Sequence, residues 1–399
     1  MATEVTRYVV AGLATGAGNG TSETDAWDGF ESASAGLAAA YGSDLVANDV
    51  DVTVICSNPN DVDDVVSGNV QFNFVSDATR GLTFENSNPD QPYVLNTDSS
   101  TSDNIVELTN TDGGRVTIGR GFRFERDANG SNRSFLRVNK AGLYLDGCTF
   151  KTLNLINSAT PFGVRYNTGN VDQGKVSNCV FIGAFDGGIR MQGYRTGYKS
   201  YNNTFIGCVK GLYAQFGDVK SRNDVFQNCT NDIVDDNGGS DIDYMLTDGT
   251  AVGANSVSSS TLTFTDAANN DYSLAAGDTD AIGAGIGPSA DSDVPTTDFA
   301  GETRSGAITD LGAYIYVTVS ALTIDSTDST MQRGTNFELV CSGATTAPTT
   351  ANTTLTSGND TLTPSSVTGS DPYTLTFAVG DLTKQVDATG YDWTLEITL

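Results

Sequence analysis

The sequence predicts an all-β protein, a solenoid of stacked parallel strands followed by a small β-sandwich. Three observations carry this. The segment KVSNCVFIGA (175–184) recurs as KSYNNTFIGC (199–208) and again as KSRNDVFQNC (220–229). Apolar residues make up 38% of the chain and charged ones 18%, and the remainder is rich in Gly, Asn, Asp, Ser and Thr, which favour turns over helices. After Tyr316 the text changes to short alternating strands split by turn residues.

The repeat has a physical reading. Aligned on Phe181, Phe205 and Phe226, each copy carries Asn three places earlier, at Asn178, Asn202 and Asn223. A looser copy, YLDGCTF, ends at Phe150 with Gly147 at the Asn place. Between the copies runs a second column: FGVRY (162–166), GGIRMQ (187–192), GLYAQF (211–216) and DIVDDN (232–237). Its segments start at Gly163, Gly188, Gly211 and Asp232. Two strand-like columns sharing a period in the low twenties mean coils that cover one another, because one coil cannot bury its apolar residues alone. Stacked at about 4.8 Å, like residues lie on like. The Phe residues then form an internal ladder and the Asn residues an amide ladder at a turn. Cys148 pairs with Cys179, and Cys208 with Cys229, as buried thiols. Continued from Val52 to Tyr316, the stack holds about ten to twelve coils.

This pattern resembles the right-handed parallel β-helix proteins of the pectate-lyase-like superfamily. LTFTDAANNDYSLAAGDTDAIGAG (262–285) and DFAGETRSGAITDLGAYIY (298–316) look like that superfamily's terminal coils. TRYVVAGLATGAGNGTSETDAWDGF (6–30) looks like its entry strand, Gly-rich turn and capping helix. The resemblance covers roughly residues 5–316 and speaks to fold, since this fold hosts lyases, hydrolases, adhesins and virion spikes.

Taken in order, residues 1–50 supply the entry strand and capping helix. The helix is expected over 24–41, capped by Ser22 or Thr24, with Trp27, Phe30, Leu37, Ala38 and Tyr41 on one face as a plug for the open end of the stack. Residues 51–316 form the β-helix. Residues 317–399 form the sandwich, which resembles the Ig-like modules of phage structural and bacterial surface proteins.

Charge and composition exclude several functions. A net charge of −28 disfavours nucleic-acid binding. The complete absence of histidine removes His-based triads and metal sites. Six cysteines without a CxxC spacing suggest neither zinc nor a disulfide framework. Residues 1–20 lack a basic n-region and a long apolar core, so neither a usual signal peptide nor membrane insertion is expected. No cofactor is expected. The one metal suggested is calcium, at NPNDVDDVV (58–66), where the alternative is a solvated acidic turn. The charge is also uneven: 16 of the 21 Lys and Arg lie between Arg115 and Arg222, giving +10 there and −38 elsewhere. That window is expected to touch an anionic partner directly.

The candidate binding residues come from the second column. Alternation points Val164, Ile189, Leu212 and Ile233 inward. Arg165, Arg190, Tyr213 and Val234 then face out as one column, with Asn167, Gln192, Gln215 and Asp236 as another. The turn GYRTGYKSY adds Tyr194, Arg195, Tyr198 and Lys199. Tyr faces, amides and guanidinium forks suit sugar rings bearing carboxylate or sulfate. They equally suit an acidic neighbouring subunit.

For catalysis, the resemblance implies Arg or Lys with calcium in a lyase, or paired carboxylates in a hydrolase. Asp224, Asp235, Asp236, Asp241 and Asp243 are the available carboxylates, but no catalytic motif singles any of them out, and the catalytic residues stay unknown.

The expectation is a non-enzymatic structural or adhesin protein at a virion surface: a phage head decoration, fibre or tailspike-like component. Its partners would be capsid or tail proteins, a host-surface polysaccharide, or further copies of itself. The alternative is a polysaccharide lyase or hydrolase acting on an acidic glycan.

Overall fold

The computed structural model describes residues 2–316 apart from 13–16, 68, 78, 90, 98–103, 112–113, 130–132, 140–141, 157–160, 168–173 and 194–196, together with seven strands after residue 316. The chain forms two compact units, residues 1–316 and 317–399.

Among the described residues, the first unit contains three parallel sheets of ten, eight and seven strands. The chain visits them in turn. Val50–Ser57 lies in the first sheet, Asp64–Val66 in the second and Val70–Val75 in the third, before Leu82–Asn86 returns beside Val50–Ser57. Repeating this circuit gives seven complete coils, one per strand of the third sheet. A partial eighth follows, ending at Asp241–Asp243 and Leu246–Thr247. The result is a parallel β-helix-like stack.

Within the second sheet the repeated Phe stands in register. Phe124, Phe150, Phe181, Phe205 and Phe226 pair rung on rung. Their rings stack at 4.9, 4.8, 4.9 and 4.9 Å with interplanar angles below 10°. Each ring is fully buried.

The repeated Asn has a backbone cause. The turn from the first sheet to the second needs a left-handed residue, a conformation that Gly and Asn adopt with least strain. Gly121, Gly147, Asn178, Asn202 and Asn223 fill it with φ of 83°, 63°, 52°, 55° and 61°. The expected amide ladder is found at one step only, where Asn223 Nδ2 donates to Asn202 Oδ1 at 3.3 Å. Asn178 instead donates to Asp146 Oδ1 and to the Thr297 carbonyl, both at 2.8 Å.

The glycines that open the second column are required by the Phe ladder. A Cβ on Gly163, Gly188 or Gly211 would lie 2.8, 2.7 or 2.5 Å from the ring of Phe181, Phe205 or Phe226 on the next coil. Thr247 replaces Phe on the coil after Phe226, so the next position in the column can be Asp232, whose carboxylate accepts from Thr247 Oγ1. Gly188→Ala should therefore cost about 1–3 kcal/mol by overpacking. Gly277→Ala, whose Cβ would meet nothing within 4 Å, should change stability little. Equal urea midpoints for the two variants would contradict this packing.

At the start of the stack, the helix spans Gly29–Tyr41 and buries Phe30, Ala33 and Leu37. It is shorter than expected, and Ala38 faces solvent. Trp27 precedes it, paired to Val9 in a two-residue strand and fully enclosed. Neither Ser22 nor Thr24 caps the helix. Asp64, from the first coil, accepts the Phe30 N–H at 2.8 Å and the Tyr93 hydroxyl at 2.7 Å. Phe30 packs 5.1 Å from Phe84 and 5.6 Å from Tyr93, which closes this end of the core.

The other end departs from the sequence expectation. Parallel strands stop at Leu246–Thr247, to which Val257 adds a single parallel bridge, and residues 262–316 then fold back beside the stack instead of adding terminal coils. Leu262, Phe264, Leu274, Leu311 and Ala313 pack on the outer face of the second sheet, against Val180 and Val225. That face presents the apolar residues Val180, Ile182, Ile206 and Val225, which no further coil could cover. Gly312 N donates to the Asn223 carbonyl at 2.7 Å and Ala313 N to Thr204 Oγ1 at 3.0 Å. Buried Arg304 holds the returning chain through the carbonyls of Asp310, Gly312 and Ala313.

The second unit is described as two antiparallel sheets. One orders Thr323–Ile324, Phe337–Ser342, Tyr373–Phe377 and Ser366–Gly369. The other orders Asp360–Leu362, Thr353–Ser357 and Thr394–Ile397.

Candidate functional site

The outward face of the third sheet gathers most of the candidate residues. Glu107, Arg137, Arg165, Arg190, Tyr213 and Val234 occupy one register column on successive coils. Val164, Ile189 and Leu212 point into the core beneath them. The column is tied together diagonally. Arg165 donates to Gln192 Oε1 through Nε at 2.9 Å and Nη2 at 2.6 Å. Arg190 donates to Gln215 Oε1 at 3.2 and 2.6 Å. Tyr213 donates to Asp236 Oδ2 at 3.0 Å.

Aromatic contacts fix the guanidinium planes. Arg190 lies 4.3 Å from the Phe162 ring centroid and 5.3 Å from that of Tyr213, and Arg165 lies 5.3 Å from Phe162. Lys210 sits 4.5 Å from the Tyr213 ring and pairs with Asp186 at 2.6 Å. Arg190 points outward but is only 8% exposed, so its stem is packing material. Burial lowers the Arg165 pKa to about 10, with repulsion from Arg190 and Arg137 acting in the same direction. Burial also lowers that of Arg190, offset by Tyr213 and Asp186. At neutral pH the ladder is charged.

Other candidates are dispersed. Lys199 lies on the first sheet, in register with Lys175 and Lys220, and its ammonium meets Asp293 at 2.7 Å. Tyr198 turns into the core, its ring 4.8 Å from that of Tyr166. Both differences arise because YKSY is a first-sheet strand whose alternation turns Tyr198 and Ser200 inward and Lys199 outward. Tyr194 and Arg195 lie outside the described residues. Arg137 was not among the sequence candidates, yet Leu136-Arg137 repeats the apolar–Arg pair of Val164-Arg165 and Ile189-Arg190 one coil earlier.

The basic window finds much of its counter-charge within the chain. Lys220 meets Asp291 at 2.8 Å and Arg222 meets Asp241 at 2.6 Å. Lys199–Asp293 and Lys220–Asp291 give the returning segment a share of the partner role that the sequence assigned to another molecule, while Arg222–Asp241 lies within the stack.

The carboxylates considered for catalysis are engaged structurally. Asp224 is fully buried, and accepts from Ser200, Ser221 and the Asn203 backbone at 2.6, 2.7 and 2.8 Å. Burial lifts its pKa to about 6, against the lowering effect of those hydrogen bonds. Asp235 accepts from the backbone of Gly238 and Ser240, and Asp243 from Asn255. In the Asp-rich run, Asn58 accepts from Val62 N, Asp63 from Asn96, and Asp64 caps the helix. Among the described residues, no group of three His, Cys, Asp or Glu side chains is placed to hold a metal ion. Cys148, Cys179 and Cys208 are buried free thiols, and burial pushes Cys148 and Cys208 well above the ordinary thiol pKa.

No family model matches the chain, and no curated protein matches it either. The fold and this surface define its class: an all-β protein with a parallel β-helix-like stack and an ordered cationic ladder on one face.

Proposed function

We propose that this protein is a non-enzymatic structural or adhesin protein of a virion surface, and that it binds an acidic glycan along its third sheet. The observation that carries the reading is the in-register column of Arg137, Arg165, Arg190 and Tyr213, flanked by Gln192 and Gln215. Successive coils repeat a cation about every 4.8 Å along the stack. A linear polymer with regularly repeated carboxylates or sulfates is the ligand that such a spacing suits. Guanidinium forks offer paired donors to each anion, and Tyr213 offers a ring face to a sugar. The carboxylates that a hydrolase reading needs serve as caps, turn bonds and buried acceptors, which favours binding over chemistry.

The virion assignment rests on the likeness to right-handed β-helix spikes and on reading the second unit as an Ig-like sandwich that attaches to capsid or tail proteins.

The test uses the full chain against immobilised alginate, chondroitin sulfate and neutral dextran, at low and physiological salt. Binding to the two acidic polymers alone, weakening as salt rises, is the expected result. Equal retention on dextran, or none on any polymer, overturns the glycan reading. Self-association at low salt without glycan binding would replace the glycan with a second copy of the chain.

A further inference from the structure

The first sheet carries a cleft of about 270 Å³ lined by Thr117, Tyr144, Asp146, Lys175, Pro295 and Thr297, among others. It is built where the returning segment crosses the coils. Lys175, Lys199 and Lys220 form one register column, yet Asp291 and Asp293 of the segment pair only with the last two. The Lys175 ammonium makes no hydrogen bond or ion pair among the described residues, and it lies 5.7 Å from the Tyr201 ring. Asp146 accepts from Ser177 and Asn178 on Oδ1, both at 2.8 Å, while Oδ2 has no partner among the described residues. The two groups line one cleft without pairing with each other. Thr297 is held at its edge by the Asn178 amide. Tyr144, 37% exposed, gives one wall an aromatic face.

We propose that this cleft binds one neutral hexose unit, with Tyr144 against the sugar ring, Asp146 Oδ2 accepting from its hydroxyls and Lys175 donating to its oxygens. The chemistry follows from the parts. A cation and a carboxylate that line one cleft without bonding each other offer donors and an acceptor to a ligand seated between them. Sugar hydroxyls satisfy both kinds at once, and an apolar ring face covers the C–H side of a pyranose. The volume lies below the roughly 300–1,000 Å³ of pockets that take drug-sized ligands, so a single sugar unit fits the scale. Burial lowers the Lys175 pKa and raises that of Asp146, and the charge of each group works against the other's shift. The cleft is on a different sheet from the arginine ladder and does not depend on it.

Saturation-transfer NMR on the full chain with D-glucose, D-galactose, D-mannose and N-acetylglucosamine tests the proposal. At least one sugar should receive magnetisation from the protein. Lys175→Met and Tyr144→Ala should each weaken that sugar's binding roughly tenfold, while Val252→Ala, at an exposed site outside the cleft, leaves it unchanged. Tyr144→Ala removes an exposed ring and so reports on the cleft even if Lys175→Met disturbs folding. Transfer to none of the four sugars overturns the site, as does transfer that persists undiminished in Tyr144→Ala.

Discussion

Phe205→Ala should lower the stability of the coil unit by roughly 3–5 kcal/mol, the range for deleting a large buried ring whose surroundings cannot collapse. Phe205 lies in the interior of the ladder, with Phe181 and Phe226 each stacked 4.9 Å away. Below it, the backbone of Gly188 approaches so closely that a Cβ there would sit 2.7 Å from the ring. Removing the ring leaves a void bounded by backbone and by two rings that their own strands hold in register. Hydrogen-bonded parallel strands on both sides prevent closure of the gap. Urea denaturation against Val252→Ala, an exposed site, measures the difference. A loss no greater than the control's would contradict the ladder.

The second large effect is a pH dependence. Asp224 stands where Cys179 and Asn203 stand on the two preceding coils, and it draws Ser200, Ser221 and Asn203 around it. Because burial raises its folded pKa from 3.8 to about 6, the folded state holds the proton more tightly than the unfolded chain does. Its contribution to stability is therefore complete below about pH 3.8 and is lost as pH rises through about 6. Between about pH 4 and 7 this amounts to roughly 2–3 kcal/mol. Asp64 and Asp146, also raised by burial, act in the same direction. Asp224→Asn keeps the shape and removes the titration, so its unfolding free energy should vary less with pH than the parent's by that amount. Parallel pH profiles for the two proteins would show that Asp224 ionises normally.

The stack was legible in the sequence because its period is written in residues that only stacking explains. Phe181, Phe205 and Phe226 recur at one place, and strand alternation then sets which neighbours face out. This is why Arg165, Arg190, Tyr213, Gln192 and Gln215 emerge together on one face. Tyr198 and Lys199 went astray because a four-residue strand carries too little alternation to reveal its inward side or its sheet. The sequence singles out no role for Asp224, since a buried carboxylate is recognisable only when the serines of two coils are seen to converge on it. The returning segment was illegible for a different reason. Its partners lie about a hundred residues away, as with Thr204 and Ala313, and no local periodicity records such a contact.

The central claim is that the third-sheet ladder is a binding surface for a polyanion. Arg190 is stacked too deeply to be altered cleanly, so the informative substitution is Arg137→Gln with Arg165→Gln, which keeps the stems and removes two charges. The measurement is the affinity of parent and double variant for chondroitin sulfate across a salt series. A loss of roughly tenfold at low salt, shrinking toward the parent's value as salt rises, is the predicted result. Identical affinities at every ionic strength would contradict the account and make the ladder a solvated face.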